Sequence, residues 1–279
     1  MIIIIANNLS YKQLKTNTMK KLSFLTLLAA VILAGCSKDN VTNLNEKIIG
    51  KWMAVDIDAQ SVLTDEQSLY TFVSSTKAYL TSAWAISKLS EGDVWYLPVD
   101  VDVVIKGKKM TLTYNLDENT EVEEVFKFTS IDDERFEANH TISVKENGEE
   151  VISNEGVVHF TKITDNFSED ILGTWECLEI TGSQTHNDDN ARLEFFSDGS
   201  YNYYRKNASG EWELVTDRVL NEYFVNGNFL ATRWQEAGQP IEYEYWEIQN
   251  IDGDHMKWMA VRQLPDGLRY GQGVKWQKG

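Results

Sequence analysis

The sequence predicts an all-β protein built as two tandem up-and-down eight-stranded β-barrels, preceded by a cleaved signal segment. Three observations predict it. The chain repeats itself at an offset of about 120 residues. Its strand runs are punctuated by tight-turn dipeptides. Its 12 Tyr, 11 Phe and 9 Trp are the residues that half-buried pleated faces use.

The repeat is read in order along the chain. Ile48-Ile49-Gly50-Lys51-Trp52 returns as Ile171-Leu172-Gly173-Thr174-Trp175, 123 residues later. Lys106-Gly107-Lys108-Lys109-Met110 matches Asn226-Gly227-Asn228-Phe229-Leu230, and Phe126–Asp132 matches Trp246–Asp252, both at 120. His159-Phe160-Thr161-Lys162 matches Lys275-Trp276-Gln277-Lys278 at 116. A shrinking offset with conserved order is what loop deletions leave in a tandem duplication. The domains are therefore set at residues 46–164 and 170–279, with Thr164–Asp170 as the polar joint.

In the second copy, Trp175–Thr181, Arg192–Phe196, Ser200–Arg205, Glu211–Val225, Asn228–Gln235, Ile241–Gln249, His255–Gln263 and Leu268–Gln277 read as strands. Asp198-Gly199, Asn226-Gly227, Asp252-Gly253 and Asp266-Gly267 supply the positive φ of tight hairpins. Such a meander needs closure to hide its edges. In the first copy, Leu69, Phe72, Val73, Thr76, Leu80, Ala83 and Trp84 follow helical spacing after a capping-box pattern at Thr64–Gln67. The repeat aligns this segment with Leu193–Tyr204, whose Asp-Gly turn signals a hairpin, so strands are predicted there. A β-sandwich is the rival fold.

The N-terminus carries an address. Lys20 and Lys21 precede thirteen uncharged residues, Leu22–Ala34, too short for a membrane span but the length of a signal h-region. The start is read at Met19, with residues 1–18 as an upstream leader and residues 19–35 as the signal peptide. Leu33-Ala34-Gly35-Cys36 resembles the lipobox of bacterial lipoproteins. That resemblance implies cleavage between Gly35 and Cys36 and acylation of the Cys36 thiol, a stable membrane anchor. Residues 36–45 form the tether. Lys38-Asp39 after the cysteine resembles a surface-export signal of some Gram-negative bacteria, with Asn40 in place of a second acid. The location implied is the outer membrane, displayed at the cell surface or else facing the periplasm.

The formal charge is −17. Residues 1–35 hold four basic groups and no acid, so their removal leaves −21. Such a field repels polyanions and excludes a nucleic-acid role. With Cys36 acylated, Cys177 remains alone, which excludes an internal disulfide and reads as a small buried hydrophobe.

Gly-x-Trp at the head of each copy, followed by a β-meander of this length, resembles the lipocalin-like (calycin) proteins, in particular the lipocalin-like lipoproteins of Gram-negative bacteria. The resemblance covers residues 46–279. It implies that Gly50/Trp52 and Gly173/Trp175 open the first barrel strands, with each Trp plugging a closed end. The family's Thr-Asp-Tyr signature is missing, since Thr216-Asp217-Arg218 comes too early. Its late Trp-stacking arginine is not cleanly placed; Lys162 and Lys275 or Lys278 fall nearest.

Catalytic motifs are absent: there is no Gly-x-Ser-x-Gly, no His-Glu-x-x-His, no phosphate-binding loop and no Cys pair for zinc. The histidines at 140, 159, 186 and 255 lack ligand spacing, and His186-Asn187-Asp188-Asp189 reads as a solvated loop. No enzyme activity, metal or cofactor is expected, and a hydrolase is disfavoured for want of a nucleophile–base pair. The acidic run Glu118–Glu124 reads as a hairpin bend. On the first strand of each copy, Asp56 and Asp58, or Glu179, follow Trp and a small residue on one face. Either these acids turn outward after a bulge, or they line a polar pocket.

Candidate ligand-lining residues are Tyr203, Arg233, Tyr245 and Trp258, with Tyr201, Tyr243 and Arg262 alternating beside them. An arginine among tyrosines is how a barrel holds a ligand carboxylate in an apolar cup. The expected function is non-enzymatic binding of a small amphipathic or apolar ligand, with the six-Trp second copy as host. The alternative is a surface module that binds glycan or protein through exposed aromatics, with filled barrels.

Overall fold

The computed structural model describes residues 41–89, 95–182 and 190–279. The expected leader (residues 1–18), signal peptide (19–35), lipidation site Cys36 and tether up to residue 40, together with His186–Asp189, lie outside the described residues.

The first copy opens with one helical turn, α1 (Leu44–Lys47). It continues through β1 (Gly50–Ile57), β2 (Gln60–Ser61), a 3-10 turn (Thr64–Glu66), β3 (Ser68–Ser74), β4 (Lys77–Ser82) and α2 (Ala83–Leu89). It ends with β5 (Val99–Lys106), β6 (Lys109–Asn115), β7 (Thr120–Ile131), β8 (Arg135–Glu146) and β9 (Glu149–Ile163). The segment with helical spacing thus forms the β3–β4 hairpin, and the helix starts only at Ala83. Consecutive strands pair antiparallel, and β1 pairs with both β3 and β9, so β1 and β3–β9 close an eight-stranded barrel. The two-residue β2 folds back on the end of β1.

The second copy holds β10 (Gly173–Thr181), β11 (Ala191–Phe195), β12 (Tyr201–Lys206), β13 (Trp212–Leu214) and β14 (Arg218–Asn226). There follow β15 (Phe229–Glu236), β16 (Glu242–Asp252), β17 (His255–Gln263) and β18 (Arg269–Lys278). Their order is β13-β12-β11-β10-β18-β17-β16-β15-β14, a curled sheet of nine strands that stays open. This corrects the expectation of two closed eight-stranded barrels. The run expected as one strand over Glu211–Val225 breaks at residues 215–217. Its first part, β13, pairs with the outer half of β12 through Tyr204↔Leu214, Arg205↔Glu213 and Lys206↔Trp212. In the first barrel β5 takes that edge of β4 through Lys77↔Asp102 and Leu80↔Val99. Among the described residues one end of the second seam is stitched, by a Ser200↔Glu222 bridge and a Tyr223 N–H donated to Gly199 O at 2.8 Å.

Period-two alternation sets the faces. On β7, Thr120, Val122, Glu124, Phe126 and Phe128 are buried while Glu121, Glu123 and Lys127 are exposed. The first barrel is packed with aromatic rings, among them Phe136 and Phe160 stacked at 4.6 Å. A separate cluster joins the two sheets within one compact unit: Met53, Leu69, Ala83, Ile86 and Trp95 from the first copy meet Phe229, Ala231 and Tyr245 from the second. Asn226 bridges the same seam, donating to Thr81 Oγ1 at 2.8 Å and accepting from Lys51 Nζ at 2.9 Å.

The two strand heads are built alike. Trp52 and Trp175 are fully buried, and each donates its indole N–H to the carbonyl four residues earlier, Ile48 or Ile171, at 2.7 Å. Gly50 and Gly173 hold φ of 126° and 105°, and a Cβ on Gly50 would sit 2.7 Å from Lys162 Cε. The register of β1 against β9 shifts between Ala54 and Asp56, and that of β10 against β18 between Cys177 and Glu179. The extra residue, Val55 or Leu178, is exposed. After the bulge the acids turn outward: Asp56 meets His159 Nδ1 at 2.7 Å, and Glu179 meets Lys275 Nζ at 2.6 Å.

Candidate functional site

Where the second sheet stays open it encloses a cavity of about 270 Å³. Trp246, Trp258 and Trp276 form much of its apolar wall, with Leu193, Val274 and Cys177 beside them. Its polar groups are Tyr201, Tyr203, Arg218, Thr232, Glu244 and Gln272. Trp175 occupies the other end of the sheet and takes no part in the lining.

Alternation explains the choice of residues. On β16, Glu244, Trp246 and Ile248 share the inner face, and on β15 Leu230, Thr232 and Trp234 do. Arg218 follows the break after β13 and stands at the open seam. Its guanidinium lies 4.5 Å from the Tyr203 ring centre and 5.0 Å from that of Trp234. Tyr203 also carries Arg205 on its ring at 5.2 Å, and its hydroxyl accepts from Arg205 Nε at 2.9 Å. Aromatic faces hold these guanidiniums in place by cation–π attraction.

Glu244 is the acid of the cavity. Arg262 Nη2 lies 3.4 Å from its Oε1, and the Arg262 guanidinium stacks 4.8 Å over Trp246. Burial pushes the Glu244 carboxyl above the usual carboxylate range, while Arg262, the Trp246 indole N–H and Arg218 pull the other way. Even so, 40% of its side chain remains accessible, because it faces the cavity. Burial also pushes the Tyr201 hydroxyl well up, against the pull of Arg218 beside it. The indole N–H groups of Trp258 and Trp276 are buried in this wall and donate to no acceptor among the described residues. Two orphaned donors mark a wall that is not satisfied by its own packing.

Of the residues singled out in the sequence, Tyr203 and Trp258 line the cavity, while Arg233 and Tyr245 face the opposite side of the sheet. Arg233, only 5% exposed, donates Nε to Glu222 at 2.6 Å and stacks 4.8 Å over Trp95. Tyr245 points its hydroxyl at Ala83 O, 3.4 Å away. Both belong to the seam with the first copy. A one-residue difference in strand phase moves a side chain to the other face, and the rows of Tyr and Arg hid the true inner row. The sequence reading missed Arg218, Glu244, Trp246 and Trp276. The apolar end of β16, Trp246-x-Ile248, was the available signal for its phase. Cys177 is buried in the wall.

The first barrel answers the same inner position differently. Glu124, read in the sequence as part of a hairpin bend, is buried inside the barrel. Its Oε1 accepts from the Tyr70 hydroxyl at 2.5 Å and the Tyr114 hydroxyl at 2.7 Å, and its Oε2 lies 2.7 Å from His140 Nε2. Burial acts to raise its pKa, but His140, Tyr70 and Tyr114 together hold the carboxyl below its ordinary value. Burial and the Glu124 charge push both tyrosines well up. Among the described residues, no group of three or more His, Cys, Asp or Glu is arranged to hold a metal ion.

A scan against models of protein families finds no match, and no curated protein matches the sequence. The structure itself shows an all-β chain with one closed eight-stranded antiparallel barrel and a second, curled sheet of nine strands.

Proposed function

We propose that this is a lipid-anchored, extracytoplasmic lipocalin-like binding protein that holds a small amphipathic ligand in the second sheet and performs no chemistry on it. The observation that carries the reading is the 270 Å³ cavity, with an indole-rich wall and a polar rim of Arg218, Glu244 and Tyr203. Concave, mostly apolar sites with a few placed polar groups are the form ligand pockets take. The anchor and the outer-membrane address rest on Leu33-Ala34-Gly35-Cys36 in the sequence. The alternative, an outer aromatic surface that grips glycan or protein, needs exposed tryptophans. In the second copy Trp175, Trp246, Trp258 and Trp276 are buried and Trp212 and Trp234 half-buried, which favours the cavity.

Native mass spectrometry of the protein purified from its own host tests the proposal. The expected result is a stoichiometric extra mass, released by organic solvent and lost in the cavity-filling variant Ala191→Trp. A clean unliganded mass from gently handled material, together with no response to added apolar or amphipathic compounds, overturns it.

A further inference from the structure

The duplication supplies an internal comparison for the cavity. Strand pairing fixes which residues correspond. Trp52 faces Tyr70 as Trp175 faces Leu193, so Leu193 stands where Tyr70 does. Leu112 faces Glu124 as Thr232 faces Glu244, so the two glutamates share one inner position. Two residues along the same strand, Trp234 stands for Tyr114. Phe128 faces Ala138 as Ile248 faces Trp258, which sets Ala260 in the place of His140.

In the first barrel three side chains close on the carboxylate, two phenol hydroxyls and one imidazole nitrogen. In the second, a leucine, a tryptophan and an alanine stand at those positions. Glu244 has Arg262, the Trp246 indole N–H and the charge of Arg218 beside it, yet its side chain remains 40% accessible at the cavity. The ring that would reach it from position 193 is missing, and Leu193 and Trp234 both line the space left.

We infer that the ligand is a small phenol, of one or two rings, whose ring occupies the space that Tyr70 fills in the first barrel and whose hydroxyl donates to Glu244 as Tyr70 donates to Glu124. This rests on the cavity reading above and adds the ligand's class and its orientation. The size agrees: a dry cavity of about 150 Å³ holds benzene, and this one measures about 270 Å³. Arg218 at the open seam would then meet whatever acceptor the outer end of the phenol carries.

The test titrates the full chain with 4-ethylphenol and with its isomer 4-methylanisole, which has the same atoms but no donor, by calorimetry. A hydrogen bond from the phenol hydroxyl to the Glu244 carboxylate predicts roughly tenfold preference for the phenol. Glu244→Leu should bring the two affinities together by weakening the phenol alone. Leu193→Tyr, which restores the first barrel's donor, should fill the site, abolish binding of both isomers and raise the melting temperature. Equal affinities in the unaltered protein, or a preference that survives Glu244→Leu, overturn the inference and leave the cavity reading standing. Failure of both isomers to bind at millimolar concentration overturns the inference, and the cavity reading is then decided by the native mass of the protein from its host.

Discussion

Lys162 lays its ammonium group 5.2 Å from the centre of the Trp52 ring, and Lys278 does the same to Trp175 at 5.3 Å. Each lysine comes from the last strand of its copy and each tryptophan from the first, so the contact ties the ends of the meander together. The glycine two residues before each tryptophan lets the lysine stem pass, most tightly at Gly50. A partly desolvated cation–π contact contributes about 1 kcal/mol, so Lys162→Ala and Lys278→Ala should each lose about that much in urea denaturation. Lys→Arg should retain it. Gly50→Ala should cost more, about 1–3 kcal/mol, because it adds a left-handed backbone to the clash.

The Glu124 network makes stability depend on acid. A carboxyl whose folded pKa lies below its unfolded value contributes stability above the unfolded value, and that contribution is lost as pH falls through the folded one. With an unfolded glutamate near 4.3, the Glu124 contribution should be complete above about pH 5 and should fade below about pH 4. Glu124→Gln should flatten that acid limb in thermal melts recorded from pH 3 to 7. Glu124→Leu should cost about 3–5 kcal/mol at neutral pH, since it strands the hydroxyls of Tyr70 and Tyr114 and the His140 ring in the barrel interior.

Much of this fold was legible because strand chemistry is local. Asn226-Gly227, Asp252-Gly253 and Asp266-Gly267 each turn a hairpin where expected, and the repeat carried β3 and β4 past a misleading helical spacing. The opening of the second sheet was not legible. It depends on whether Trp212–Leu214 pairs with β12 in place of β14, a choice between two long-range partners that local pattern does not encode. The site suffered from a similar ambiguity of phase. The aligned blocks Phe126–Asp132 and Trp246–Asp252, extended two residues toward the N-terminus, superpose Glu124 on Glu244. The two acids were read separately, one as a bend and the other not at all.

His159 sits between two carboxylates, its Nδ1 2.7 Å from Asp56 and its Nε2 3.2 Å from Glu137. The Asp56 hydrogen bond, seconded by that of Glu137, raises the imidazole above its ordinary value and outweighs the opposing effect of burial. A raised histidine contributes stability below its unfolded pKa and loses it as pH rises through the folded one, so the triad should loosen above about pH 6.5. An NMR titration of the His159 ring should give a midpoint above that of a free histidine. Asp56→Asn should move the midpoint down, and a midpoint unmoved by that change would contradict the pairing.

The seam between the copies should couple their unfolding. Phe229 is buried against Tyr245, the rings 5.8 Å apart and stacked, in the cluster that also holds Met53, Leu69 and Trp95. Phe229→Ala should cost about 3–5 kcal/mol by the usual penalty for a buried phenylalanine. Because the loss falls on the contact between the sheets, calorimetry should show the second copy melting ahead of the first. A single transition as sharp as that of the unaltered protein would mean that Phe229 contributes little to the coupling.

Arg233 and Arg218 should separate stability from binding. Arg233 lies in the seam, paired with Glu222 and stacked on Trp95. Arg233→Ala removes a buried guanidinium from its partly exposed partner Glu222 and from its cation–π contact, a loss of about 2 kcal/mol in denaturation. It should leave any ligand carried by the second sheet in place, since no part of Arg233 reaches the cavity. Arg218 is held by two rings at the open seam, and its charge acts on Tyr201 and Glu244 beside it. Arg218→Ala should cost about 1 kcal/mol, less than Arg233→Ala, while lowering the bound fraction seen in native mass spectra. The opposite pattern, with ligand lost on Arg233→Ala and kept on Arg218→Ala, would put the binding site in the seam between the copies and not inside the second sheet.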